Sequence, residues 1–200
     1  MFSEQNRIIW VINKIVDMVF LSALWVVCSI PIVTIGASCA ALYHTVTKAI
    51  REDTGYPVRS YLQSFKSNLR PTILFTLFTE IMLAVFAFVI FYCYKNPMGF
   101  LTQFYAVFSL ICIILTLLVQ IHTFSLIGRF HLTGRQLFTL VVRLMGRNLP
   151  KNFLLICMLA FAIEGGIYYP PLLFIIPAGY TFLVSVVEEP VFAKHINIRE

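Results

Sequence analysis

The chain has 200 residues, 60% of them hydrophobic and only 12% charged, with 15 Lys and Arg against 9 Asp and Glu. A water-soluble domain carries about 25% charged residues and ~45–50% apolar ones, and a soluble fold of this size has no means of hiding so much apolar surface. The net charge of +6 lies beside apolar runs, where the enrichment of cytoplasmic loops in Lys and Arg accounts for it; nucleic acid is not expected as a partner.

A helix needs about 20 apolar residues to cross a hydrocarbon core of ~30 Å. Within lipid only helices and closed barrels satisfy their own backbone, and the continuous runs here lack the alternation of barrel strands. The first span covers residues 8–30, interrupted by Asn13, Lys14 and Asp17; it is too long for a signal-peptide core and reads as retained. Pro31 ends it, because proline has no amide hydrogen with which to continue a helix. Residues 32–50 are rich in small side chains and either cross the bilayer or re-enter without crossing.

In the basic loop that follows, Arg59, Gln63, Lys66 and Arg70 form a stripe against Tyr61, Leu62, Phe65 and Leu69, which predicts an interfacial helix over 59–70. The third span covers 72–94, a turn runs from Lys95 through Pro97 and Met98 to Gly99, and the fourth span covers 104–127. In the second basic loop Arg135, Thr139, Arg143 and Arg147 recur every four residues, predicting another interfacial helix over 134–149. The fifth span is 152–168, closed by Tyr169-Pro170-Pro171, and the sixth is 172–187. Asn68-Leu69-Arg70-Pro71 and Asn148-Leu149-Pro150-Lys151 lead into outward spans alike, a weak sign of a parallel repeat.

The expected fold class is therefore all-α: a polytopic helical membrane bundle with about six transmembrane helices in three hairpins and two cytoplasmic amphipathic interfacial helices, one integral domain over 1–200. Charge sorts with this count. With the N-terminus inside, Arg7, the cations from Lys48 to Arg70, those from Arg129 to Lys151, and Lys194 and Arg199 are cytoplasmic, and only Lys95 falls outside. Both termini are expected in the cytoplasm.

The stretch Pro31-Ile32-Val33-Thr34-Ile35-Gly36-Ala37-Ser38, with Ala40-Ala41-Leu42-Tyr43 and Phe65-Lys66-Ser67-Asn68 after it, resembles the YesL-type family of small bacterial membrane proteins, most specifically between Trp25 and Pro71. The resemblance implies a bacterial plasma-membrane protein whose relatives are encoded beside carbohydrate-uptake ABC transporters; it implies no catalytic residues. Read physically, Pro31 ends one helix, Thr34 is placed to cap the next by accepting a backbone N–H, and Gly36 with Ala40 gives the spacing that lets two backbones approach. The motif is then a tight helical hairpin, or a broken-helix site whose exposed N–H groups receive an anion.

Polar residues at membrane depth are few: Lys14, Asp17, Glu80, Gln120, His122 and Glu164. Charge at the bilayer centre costs about 2.5–3.5 kcal/mol on insertion scales, so such groups face the bundle interior. Lys14 and Asp17 lie three residues apart and can pair with each other. Glu80 is either a protonated acid bonded to a neighbouring helix or part of a polar pathway, and His122 reads as an interhelical partner rather than a metal ligand.

No nucleophile elbow, zinc-protease motif or phosphate loop occurs, so neither an enzyme, a cofactor nor a metal is expected. Arg59, Lys66, Arg70, Arg135, Arg143 and Arg147 suit anionic lipid or a docked partner. The expected function is an accessory component of carbohydrate uptake, with the lipid bilayer and ABC transporter components as partners. The alternative is a small transporter or channel using Glu80 and the break at Pro31. The sequence carries no signal for an oligomeric state.

Overall fold

The computed structural model describes residues 4–96, 99–130 and 132–195, with side chains between Ile9 and Ala193. Pro97, Met98 and Arg199, and the side chains of Arg7 and Lys194, lie outside the described residues. The helices are α1 (Glu4–Ser29), α2 (Ile35–Thr45), α3 (Pro57–Lys95), α4 (Phe100–Arg129), α5 (Gly134–Arg147), α6 (Leu149–Tyr168) and α7 (Ile176–His195). Four of them, α1 from Ile9 together with α3, α4 and α6, are long and apolar enough to cross a membrane.

Helix α1 stops before Pro31, whose ring also turns the preceding residue away from helical geometry. Thr34 does not cap α2 as expected. Its hydroxyl points back and donates to the carbonyls of Cys28 at 2.6 Å and Pro31 at 2.8 Å, supplying donors to the end of α1. The Ser38 hydroxyl bonds the Trp25 carbonyl at 3.3 Å in the same way.

Helix α2 runs on through a π-helical turn, Val46–Arg51. At ~1.5 Å per residue Ile35–Arg51 is about 25 Å long, and the 3₁₀ turn Ile32–Thr34 that runs into it brings the stretch to roughly 30 Å, the thickness of a hydrocarbon core. Among the described residues it is the most enclosed stretch, packed chiefly against α3 and α4. Small residues permit this. A Cβ on Gly36 would overlap the Thr76 hydroxyl and the Phe124 ring, and one on Gly128 would lie 2.5 Å from the Ala40 carbonyl oxygen.

The expected boundary between an interfacial helix over 59–70 and a span over 72–94 does not occur. Pro71 sits inside a single helix of 39 residues, about 58 Å long. Proline removes one backbone bond, and the face around it is held by others. The Thr72 hydroxyl donates to the Asn68 carbonyl at 2.6 Å, the Asn68 amide donates to the Ser64 hydroxyl at 3.1 Å, and Tyr61 meets the Ser38 hydroxyl at 2.6 Å. The corresponding Asn148 does interrupt the chain, between α5 and α6, and Pro150 falls in the first turn of α6, where a missing N–H costs nothing. The two similar tetrapeptides therefore fold differently.

Helix α5 begins with a capping box in which Thr133 and Gln136 satisfy each other's backbone. Val141 and Leu144 are buried while Arg135, Arg143 and Arg147 are exposed. Residues 172–187 start in a 3₁₀ turn, Pro170–Phe174, and α7 continues past Val187 and through Pro190. Two apolar clusters form the core, one around Leu126, Leu144, Leu155 and Phe192, the other around Leu21, Leu42, Val46 and Tyr61. The α2 helix contributes to both.

Candidate functional site

Buried polar groups gather in three places, each built by helices distant in sequence. The first joins α1 to the turn after the π-helical segment. The Lys14 ammonium donates to the Asp53 carboxylate and the Ala49 carbonyl, and the Trp10 indole reaches Asp53 at 3.3 Å. Lys14 therefore does not pair with Asp17, its neighbour on α1. Asp53 adopts a left-handed backbone (φ 54°), which aspartate tolerates better than most residues. The bond from Lys14, then that from Trp10, holds its carboxyl below the usual carboxylate range.

The second lies between α3 and α4. The Gln120 amide donates to Thr79 Oγ1 at 2.9 Å and to Glu80 Oε1 at 3.1 Å. Glu80 is thus an interhelical acceptor.

The third joins four helices. His122 of α4, 4% exposed, faces Glu188 Oε1 of α7 at 2.8 Å through Nδ1. Through Nε2 it faces Asn152 Oδ1 of α6 at 3.0 Å, and the Asn152 amide donates to the Met145 carbonyl of α5 at 2.8 Å. Nearby, Arg129 bonds Glu52 at 2.8 Å and Glu189 at 3.5 Å. Glu164 is exposed on α6 and joins none of these groups, and the cations Arg59, Lys66, Arg70, Arg135, Arg143 and Arg147 are exposed as well.

Beside Gln120 of the second group lies a cavity of about 530 Å³, within the ~300–1,000 Å³ range of ligand pockets. Trp25, Ile35, Phe124, Ile163 and Ile176 are among its mostly apolar walls, and Gln120 and Cys39 are among its few polar ones. Among the described residues no group of three or more His, Cys, Asp or Glu has the arrangement to hold a metal ion.

Residues 18–92 match a family model described as Protein of unknown function, DUF624. YesL-type proteins belong to that family, and the matched segment contains the whole stretch from Trp25 to Pro71 that carries the resemblance. No curated protein and no solved structure matches the chain.

Sequence reasoning singled out Lys14, Glu80, Gln120 and His122, and each is engaged with another element. It missed Asp53, Asn152 and Glu188. The signal for Glu188 is its position just after an apolar run: the expected span ends at Val187, whereas α7 continues and carries Glu188 inward. Asn152 bore a signal too, as an amide side chain in the first turn of a span.

Proposed function

We propose that the chain is an integral protein of a bacterial plasma membrane, with six crossings and cytoplasmic termini, that serves as an accessory component of a carbohydrate-uptake system. The observation that carries this reading is the closure of its interior. Gln120 is occupied by Thr79 and Glu80, and His122 by Glu188 and Asn152. The adjoining cavity is walled mainly by apolar side chains. Each sugar hydroxyl left unpaired there costs about 1–3 kcal/mol, so such a wall makes a poor sugar path.

Ion pairs support the topology. Lys14–Asp53, Arg129–Glu52 and Arg129–Glu189 draw together the start of α1, the end of the π-helical turn, the end of α4 and the later half of α7. A six-crossing count puts all four on the cytoplasmic side. The exposed arginines of α5 and the cations of early α3 are then available to anionic lipid and to a transporter component, α5 as an amphipathic interfacial helix. The association with sugar uptake rests on the YesL-type resemblance.

Crosslinking and pull-down from native membranes grown on an inducing sugar should recover a sugar permease or its ATPase. The second reading, a small transporter or channel, is favoured by the contact of Glu80 with Gln120 at the cavity wall. It predicts flux in proteoliposomes that Glu80→Gln abolishes. Recovery of no transporter component, together with such a flux, would replace the first reading by the second.

A further inference from the structure

We infer that His122 and Glu188 jointly hold one proton as a resident ligand, and that this proton fastens α6 and α7 to α4. His122 has an acceptor on each side. Glu188 Oε1 lies at 2.8 Å from Nδ1, and Asn152 Oδ1 at 3.0 Å from Nε2. Asn152 is not reversed, because its amide nitrogen donates to the Met145 carbonyl. A neutral imidazole has one N–H and satisfies only one of two acceptors. Both contacts are made only if the pair carries an added proton. Either the ring is an imidazolium beside a carboxylate, or Glu188 is a carboxylic acid donating to Nδ1 while Nε2–H donates to Asn152.

Burial points the same way. His122 and Glu188 are 4% and 2% exposed, and Glu188 Oε2 is buried without a hydrogen bond. A net charge left there would be costly unless paired. On α7, Glu189 is matched by Arg129 and by the Tyr43 hydroxyl of α2 at 3.3 Å. Tyr180 of α7 and Ser125 of α4 lie near Glu188, and Lys151 of α6 lines a small hollow beside both partners, to which α5 contributes Leu144. Among the described residues, Glu188 is the carboxylate that meets His122.

Loss of the proton would leave Nδ1–H bonded to a carboxylate and the Nε2 lone pair facing the Asn152 oxygen. The tie between α4 and α6, both of which wall the large cavity, would then break. This inference does not depend on whether the chain is an accessory protein or a conduit.

The test is the pH dependence of SDS-induced unfolding in mixed micelles, for the wild type and for Glu188→Gln. Glutamine donates to Nδ1 of a neutral His122 and so imitates the loaded pair. The sign follows from linkage: the unfolded histidine loses its proton above about pH 6.5 while the folded pair keeps one. The wild-type unfolding constant should therefore rise about tenfold per pH unit relative to the variant above that point. Equal slopes for the two proteins would overturn the inference. Should Glu188→Gln fail to fold, ¹⁵N spectra of histidine-labelled wild type decide, with the His122 signal assigned by His122→Gln. A protonated Nε2 at pH 7.5 supports the proposal, and a bare Nε2 with a protonated Nδ1 overturns it.

Discussion

Two glycines show how differently one residue type acts along the chain. Gly128 has the Ala40 carbonyl and the His44 backbone against it, while nothing lies within 4 Å of a Cβ on Gly179 in α7. Gly128→Ala should cost about 1–3 kcal/mol, because overpacking displaces backbone. Gly179→Ala should stabilise by roughly 0.5–1 kcal/mol, because glycine loses more freedom in a helix interior. SDS titration of purified variants measures both. Asp53 provides a pH prediction. Its folded carboxyl titrates lower than usual, so its contact with Lys14 and Trp10 is complete above about pH 4. It is lost as pH falls through the depressed value. In a Trp25→Phe background, Trp10 emission should change over that acid range, and Asp53→Asn should remove the transition. The sequence offered Asp17 as a partner for Lys14, whereas the ammonium meets Asp53. Helical spacing identifies neighbours on one helix, whereas Asp53 arrives through a turn 39 residues away.

At the scale of elements, the continuity of α3 separates two kinds of proline. Pro71 is itself exposed, while Tyr61, Ser64, Asn68, Thr72, Thr76 and Thr79 form a row buried along both halves of the helix. In a bundle that is apolar on every face, periodicity of hydrophobic residues cannot mark the buried side. The small polar residues mark it instead, since lipid offers them no partners. The start of α5 depends on its capping box, and Thr133→Ala should cost about 1 kcal/mol, read as a loss of stability in the same titration. The π-helical turn after α2 had no warning in sequence. Such turns arise where side chains and neighbouring helices favour an extra residue per turn, and here Arg51 bonds the Ser185 carbonyl at 2.8 Å.

For the molecule as a whole, orientation is the most accessible prediction. In cells carrying single-cysteine variants, Arg143→Cys should be labelled only from the cytoplasmic side and Lys95→Cys only from outside. Opposite labelling would overturn the proposed orientation. Composition alone determined that the chain belongs in lipid, because no soluble packing covers so much apolar surface, and run length located the four long helices. Charge gave the expected orientation. Only the tertiary structure decided that α2 is enclosed by α3 and α4, that Glu188 turns inward to His122, and that an apolar cavity opens beside Gln120. Each depends on which faces of uniformly apolar helices meet, and that is fixed by close backbone contacts and buried hydrogen bonds between residues far apart in the chain.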